Sequence, residues 1–109
     1  MTVKESGGKV NISMTRGDSE SITVRCSESF NAGDTVTFTM REAVDEPIVL
    51  QKVITDFPDG EAVIPFYPQD TNGLEFGDYV YDVQMTRADG TVTTLLVPAK
   101  FTLKDEVTY

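Results

Sequence analysis

Carboxylates are the side chains most available for chemistry in this sequence. Asp and Glu number 18 against 9 Lys and Arg, with no histidine and one cysteine. Glycoside hydrolysis would need two carboxylates facing one sugar across a cleft, one of them kept protonated by burial. The acidic residues fall mainly in turn-like stretches instead, at Asp34, Asp45, Glu46, Asp56, Asp59, Asp70, Asp78 and Asp89, where carboxylates are usually solvated. Asp56, Asp59 and Glu61 could gather a calcium ion, but their spacing does not match an EF-hand loop. Without histidine there is no imidazole base, proton shuttle or metal ligand, which removes the usual serine and cysteine triads and zinc sites. Cys26 has no second cysteine to pair with and shares the inward parity of Ile22 and Val24, so its thiol is expected to pack as a small hydrophobe. No nucleophile elbow, P-loop or dinucleotide fingerprint is present. The expectation is therefore a non-enzyme with no catalytic residue, no cofactor and no metal site. Arg16-Gly17-Asp18 spells the integrin-binding tripeptide, yet a three-residue match is common by chance, and a glycine turn between strands accounts for it.

Composition narrows the partners. A net charge of −9 without a basic run repels nucleic-acid phosphates. No apolar run approaches the ~20 residues that span a bilayer, and the opening MTVKESGGKV lacks the apolar core of a secretory signal. Neither nucleic-acid binding nor membrane insertion is expected. A chain of 109 residues is one domain's worth and can bury roughly two-thirds of its unfolded surface.

The elements that must position these residues read as strands. Tyr79, Tyr81, Val83 and Met85 alternate with polar residues apart from Val80, and period-two alternation turns one face to a core. A three-residue loop of Ala88, Asp89 and Gly90 would place glycine in the left-handed position. That register sets Met85 opposite Thr93, Val83 opposite Leu95 and Tyr81 opposite Val97. Leu95, Val97, Ala99, Phe101 and Leu103 then share the inward parity, with Pro98 outward at an edge or a bulge. Earlier in the chain the inward sets are Val10, Ile12 and Met14; Ile22, Val24 and Cys26; and Val36, Phe38 and Met40. Residues 48–54 have no clean parity. Ala62, Ile64 and Phe66 read inward, with Pro65 outward on an edge. Asp70 is placed as the N-cap of a single helical turn ended by Gly73, with Leu74 and Phe76 dropping into the end of the core.

Seven to eight short strands with turn signals about every 8–12 residues indicate an all-β, immunoglobulin-like antiparallel β-sandwich. Residues 1–8 read as a flexible lead-in and 9–109 as a single sandwich domain. The Asp70, Gly73, Tyr79 and Tyr81 arrangement resembles the tyrosine corner of immunoglobulin-like domains, at a different spacing, and strand preference alone would also place the tyrosines there.

Three stretches, MTRGDSESITVRC with GDTVTFTMRE, DTNGLEFGDYVYDVQMTRADG, and FTLKDEVTY, resemble small virion proteins of phages and prophages of Gram-positive bacteria. The likeness is to the N-terminal immunoglobulin-like domain of baseplate upper proteins, carried by Gly17-Asp18, Gly77-Asp78-Tyr79, Asp89-Gly90 and Phe101. It implies a non-catalytic tail or baseplate module, assembled in the bacterial cytoplasm with other virion structural proteins or with further copies of itself. The physical means would be edge-strand pairing, at the Pro65 strand and the strand after Pro98. A second expectation, a carbohydrate-binding or adhesin-like module, would rest on exposed aromatics, for which Tyr67 and Tyr109 are the candidates.

Overall fold

The computed structural model describes residues 2–4, 11–25, 30–57 and 60–104. Among the described residues eight strands and one short helix follow in chain order: β1 (Thr2–Lys4), β2 (Ile12–Thr15), β3 (Glu20–Arg25), β4 (Thr35–Arg41), β5 (Ile48–Ile54), β6 (Ala62–Phe66), α1 (Pro68–Thr71), β7 (Gly77–Thr86) and β8 (Val92–Lys104). They form two sheets, a three-stranded one in the order β1-β3-β6 and a five-stranded one in the order β2-β8-β7-β4-β5. The parity of each strand decides what lies between the sheets. Val36, Phe38 and Met40 of β4, Ile22 and Val24 of β3, and Ala62, Ile64 and Phe66 of β6 are all buried, as their alternation requires. Tyr79, Tyr81, Val83 and Met85 of β7 meet them, with Leu95, Ala99, Phe101 and Leu103 of β8.

The chain crosses between the sheets repeatedly: β3 pairs with β6, while β4 lies between β5 and β7, and β7 pairs with β8. This is an immunoglobulin-like sandwich. Antibody domains join their sheets with a disulfide packed on a tryptophan. A chain with one cysteine and no tryptophan cannot do this. Here Phe38 takes the centre, stacked on Tyr81 at 5.4 Å and edge-on to Phe66 and Phe101 at 5.1 and 5.9 Å. Burial pushes the Tyr81 hydroxyl up to about 12.

The tyrosine corner is present. Tyr79 donates its hydroxyl to the Glu75 carbonyl at 2.6 Å, pinning the approach to β7. The α1 turn differs from expectation in its cap. Tyr67 is the N-cap, and Asp70 lies inside the turn, reaching back to accept the Tyr67 N–H at 2.7 Å.

Departures from the expected pattern are informative. The sandwich is not wholly antiparallel: β1 runs parallel to β3, and β2 parallel to β8. Thr2–Lys4, within the stretch expected as a lead-in, form β1. In the β7–β8 hairpin Gly90 has φ 93°, and Arg87 N–H donates to the Thr91 carbonyl at 2.8 Å, which closes the three-residue loop. Met85 pairs with Thr93 as expected, but Val83 meets Leu96 and Tyr81 meets Ala99. Two one-residue shifts intervene, between Gln84 and Val83 and between Val83 and Tyr81. One shift would invert every side chain beyond it, whereas two restore the parity, so Ala99, Phe101 and Leu103 still face inward. Cys26 and Val10 lie outside the described residues.

Candidate interaction surface

The open edges follow from the strand order. The five-stranded sheet ends on β2 and β5, and the three-stranded sheet on β1 and β6. The Pro65 strand, β6, is an edge as expected. The strand after Pro98 is not: β2 covers it, pairing Ile12 through Thr15 with Phe101 through Lys104. This pairing joins residues nearly ninety positions apart, which local alternation does not encode.

The edge that alternation did not single out is β5. Its seven residues contain no proline, and among the described residues no strand pairs with its outer side. An unpaired row of N–H and C=O groups is a template for another chain. This edge also carries exposed apolar side chains: Val44 in the loop before it and Ile48 and Val53 on the strand itself are 66%, 45% and 57% exposed. The signal was visible as the failure of parity over 48–54. Ile48 and Val53 stand outward, while Val49, Leu50 and Ile54 pack against the core after a register shift at Met40 and Arg41. Lys52, on the inward side, is tied at 2.7 Å to Asp70, both largely buried. Burial raises the Asp70 carboxyl, but Lys52 and the Tyr67 N–H outweigh it and hold it below its ordinary value.

A second feature lies on the outer face of the same sheet, where the two register shifts leave Asp82 without a partner on β8. A small depression opens there, lined by Thr39, Arg41, Val44, Val80, Asp82 and Pro98 together with Tyr81. A wider groove of about 550 Å³ adjoins it, sharing Val44, Val80 and Pro98 and adding Glu42, Asp78 and Lys100. Burial raises the Asp82 carboxyl, opposed by the Arg41 charge.

The other residues singled out by type fall elsewhere. Arg16-Gly17-Asp18 is the β2–β3 turn, with Gly17 at φ 86°. It is docked on the end of α1 and the segment after it: the Gly17 N–H donates to the Thr71 hydroxyl at 2.8 Å, and Arg16 donates to the Leu74 carbonyl at 3.2 Å. The Arg16 guanidinium also covers Phe76, which is exposed rather than in the core. Tyr67 is half exposed, with the Lys52 ammonium 5.2 Å from its ring centroid, so a sugar stacking there would compete with that cation. Tyr109 and Asp59 lie outside the described residues, and Asp56 is exposed. Among the described residues no three acidic or cysteine side chains gather closely enough to hold a metal ion. Asp34 is not a solvated loop carboxylate. It is 4% exposed, accepts the Asn31 N–H at 2.9 Å and pairs with Arg87 at 2.6 Å. The Asn31 N–H and the Arg87 guanidinium hold its carboxyl below the ordinary value against burial.

No family model matches the chain, and no curated protein matches it. Among solved structures the chain is similar to the first immunoglobulin-like domain of human CD48 antigen, at 13% identity and a TM-score of 0.44, over 93% of this chain and 86% of that one.

Proposed function

We propose that the chain is a non-catalytic interaction module of a phage or prophage tail or baseplate, assembling with other structural proteins or further copies of itself through the β5 edge. The observation that carries the assembly reading is that edge: seven residues, open on one side among the described residues, free of proline and carrying exposed Ile48 and Val53. Edge pairing supplies affinity through main-chain hydrogen bonds and specificity through alternate side chains. The virion setting rests on the sequence resemblance, whose positions the fold uses for turns and core: Gly17-Asp18 and Asp89-Gly90 at turns, Gly77-Asp78-Tyr79 at the start of β7, and Phe101 between the sheets.

Particles induced from cells carrying the gene test both halves. The chain should co-purify with tail structures by mass spectrometry, and its absence would overturn the virion setting. A chain carrying both Ile48→Lys and Val53→Lys should fold yet fail to be incorporated, because lysines blunt a strand edge. Incorporation at the wild-type level would overturn the role of β5.

A further inference from the structure

We infer that the groove on the outer face of the five-stranded sheet receives an extended cationic segment of a partner protein, with Asp82 as the anion that takes up its lysine or arginine side chain. The inference rests on the reading of the chain as a protein-interaction module but does not use the β5 edge. Among the described residues four carboxylates are at least partly withdrawn from solvent, Asp34, Glu61, Asp70 and Asp82, and Asp34 and Asp70 each hold a cation. Asp34 holds Arg87 at 2.6 Å, and Asp70 holds Lys52 at 2.7 Å. Asp82 makes no hydrogen bond or ion pair among the described residues, although it is mostly withdrawn from solvent between Val80 and Pro98. Charged groups taken out of water are ordinarily paired, so an unpaired one marks an interaction still to be made.

The two nearby cations have a hydrogen bond and an ion pair elsewhere, although the Arg41 charge still reaches Asp82. Arg41 donates to the Glu46 carbonyl at 2.9 Å, and Lys100 lies 3.6 Å from Asp78. Arg41 lowers the Asp82 carboxyl without overcoming its desolvation. The site exists because of a backbone fault. Pro98 cannot donate to the ladder, and the paired register shifts leave Asp82 facing a stretch of β8 with which it does not pair. Apolar walls from Val44, Val80 and Pro98 suit the methylene stem of a lysine or arginine, and the carboxylate suits its head. The neighbouring groove has room for the flanking residues of that segment, and Glu42 on its lining adds to the attraction, while Asp78 there lies against Lys100. A net charge of −9 favours a basic partner over an acidic one.

The test uses the full chain, ¹⁵N-labelled, titrated near neutral pH with two capped pentapeptides, Ala-Val-Lys-Val-Ala and its norleucine counterpart. The lysine peptide should shift the amides of Val80, Asp82 and Ala99 and bind at least about tenfold more tightly than the norleucine peptide. Asp82→Asn should erase that preference while leaving a folded spectrum. Equal affinity for the two peptides, a preference that survives Asp82→Asn, or no shifts at about 10 mM lysine peptide would each overturn the inference. The same shifts produced by raising the protein concentration alone would also overturn it, in favour of a second copy as occupant. Particle incorporation of the Ile48→Lys, Val53→Lys chain reads the β5 edge independently, so failure of one leaves the other distinguishable.

Discussion

On one flank of the sandwich the two sheets present their open edges side by side, β5 from the larger and β6 from the smaller, and the two are held and guarded differently. Strand β6 is fixed by what it buries. Ala62, Ile64 and Phe66 all point into the core, and Pro65 between them lacks the N–H that a free edge would offer. Strand β5 has no fully buried side chain. It is held by its ladder to β4, by the partial packing of Val49, Leu50 and Ile54, and by the ion pair from Lys52 to Asp70. Lysine at an edge usually repels an incoming strand, but here its charge is spent on Asp70. One edge is therefore anchored and blunted, the other lightly anchored and open. An edge that contributes little to the core is free to vary its side chains for a partner.

Truncation gives the largest separation between the two edges. Phe66→Ala should cost about 3–5 kcal/mol in urea melts, since it empties a site packed 5.1 Å from Phe38 and 5.8 Å from Phe101. Val53→Ala on β5 should stay within about 0.5 kcal/mol, as expected for an exposed position. Comparable losses at the two sites would mean that β5 is as deeply anchored as β6, and the contrast would collapse.

The ion pair that ties β5 down comes next in size. Asp70→Asn removes the anion facing Lys52 but keeps an oxygen able to accept the Tyr67 N–H, so the loss should be about 1 kcal/mol near neutral pH. Its pH dependence has a definite sign. The folded-state carboxyl of Asp70 titrates below its unfolded value, so its contribution is complete above about pH 3.9 and is lost as pH falls through the lower folded value. Stability curves of wild type and Asp70→Asn should converge below that window. A constant gap at all pH values would show that the pair does not hold the strand. Asp82 runs the other way: burial raises its carboxyl, so folding is penalised once pH rises above the unfolded value, and Asp82→Asn should be slightly more stable than wild type near neutrality. A lower midpoint for Asp82→Asn would mean that the carboxylate already has a partner.

Local alternation reveals much of this fold and little of its surface. Val36, Phe38 and Met40 are buried because period two is a property of a few consecutive residues, and Gly90 closes its loop because only the local backbone demands it. What escapes such reading depends on distant partners. Asp34 sits in a turn-like sequence, yet its burial is set by Arg87, 53 positions away. The strand after Pro98 is interior because β2 returns beside it in parallel. The Asp82 depression arises from two register shifts that leave parity intact, so alternation does not show them, and only Pro98, read as an edge or a bulge, marks the place. The β5 edge did leave a trace, in apolar residues on both faces of one short strand.

Exchanging the guards of the two edges should change stability least and association most. Pro65→Thr returns to β6 an N–H on its solvent side, where prolines in edge strands direct the missing donor, and threonine suits an outward strand position. Stability should move by no more than about 0.5 kcal/mol, because Pro65 contributes little to the core. Val53→Lys does the reverse to β5, adding a charge beside the open ladder at similarly small cost. Light scattering over a concentration series should then rank the chains, with Pro65→Thr the most associated, wild type between and Val53→Lys the least. Association insensitive to Val53→Lys but raised by Pro65→Thr would make β6 the adhesive edge once unguarded and β5 a bystander. The inverse result would leave β5 as the edge that recruits, with the proline on β6 a guard against mispairing on the same flank.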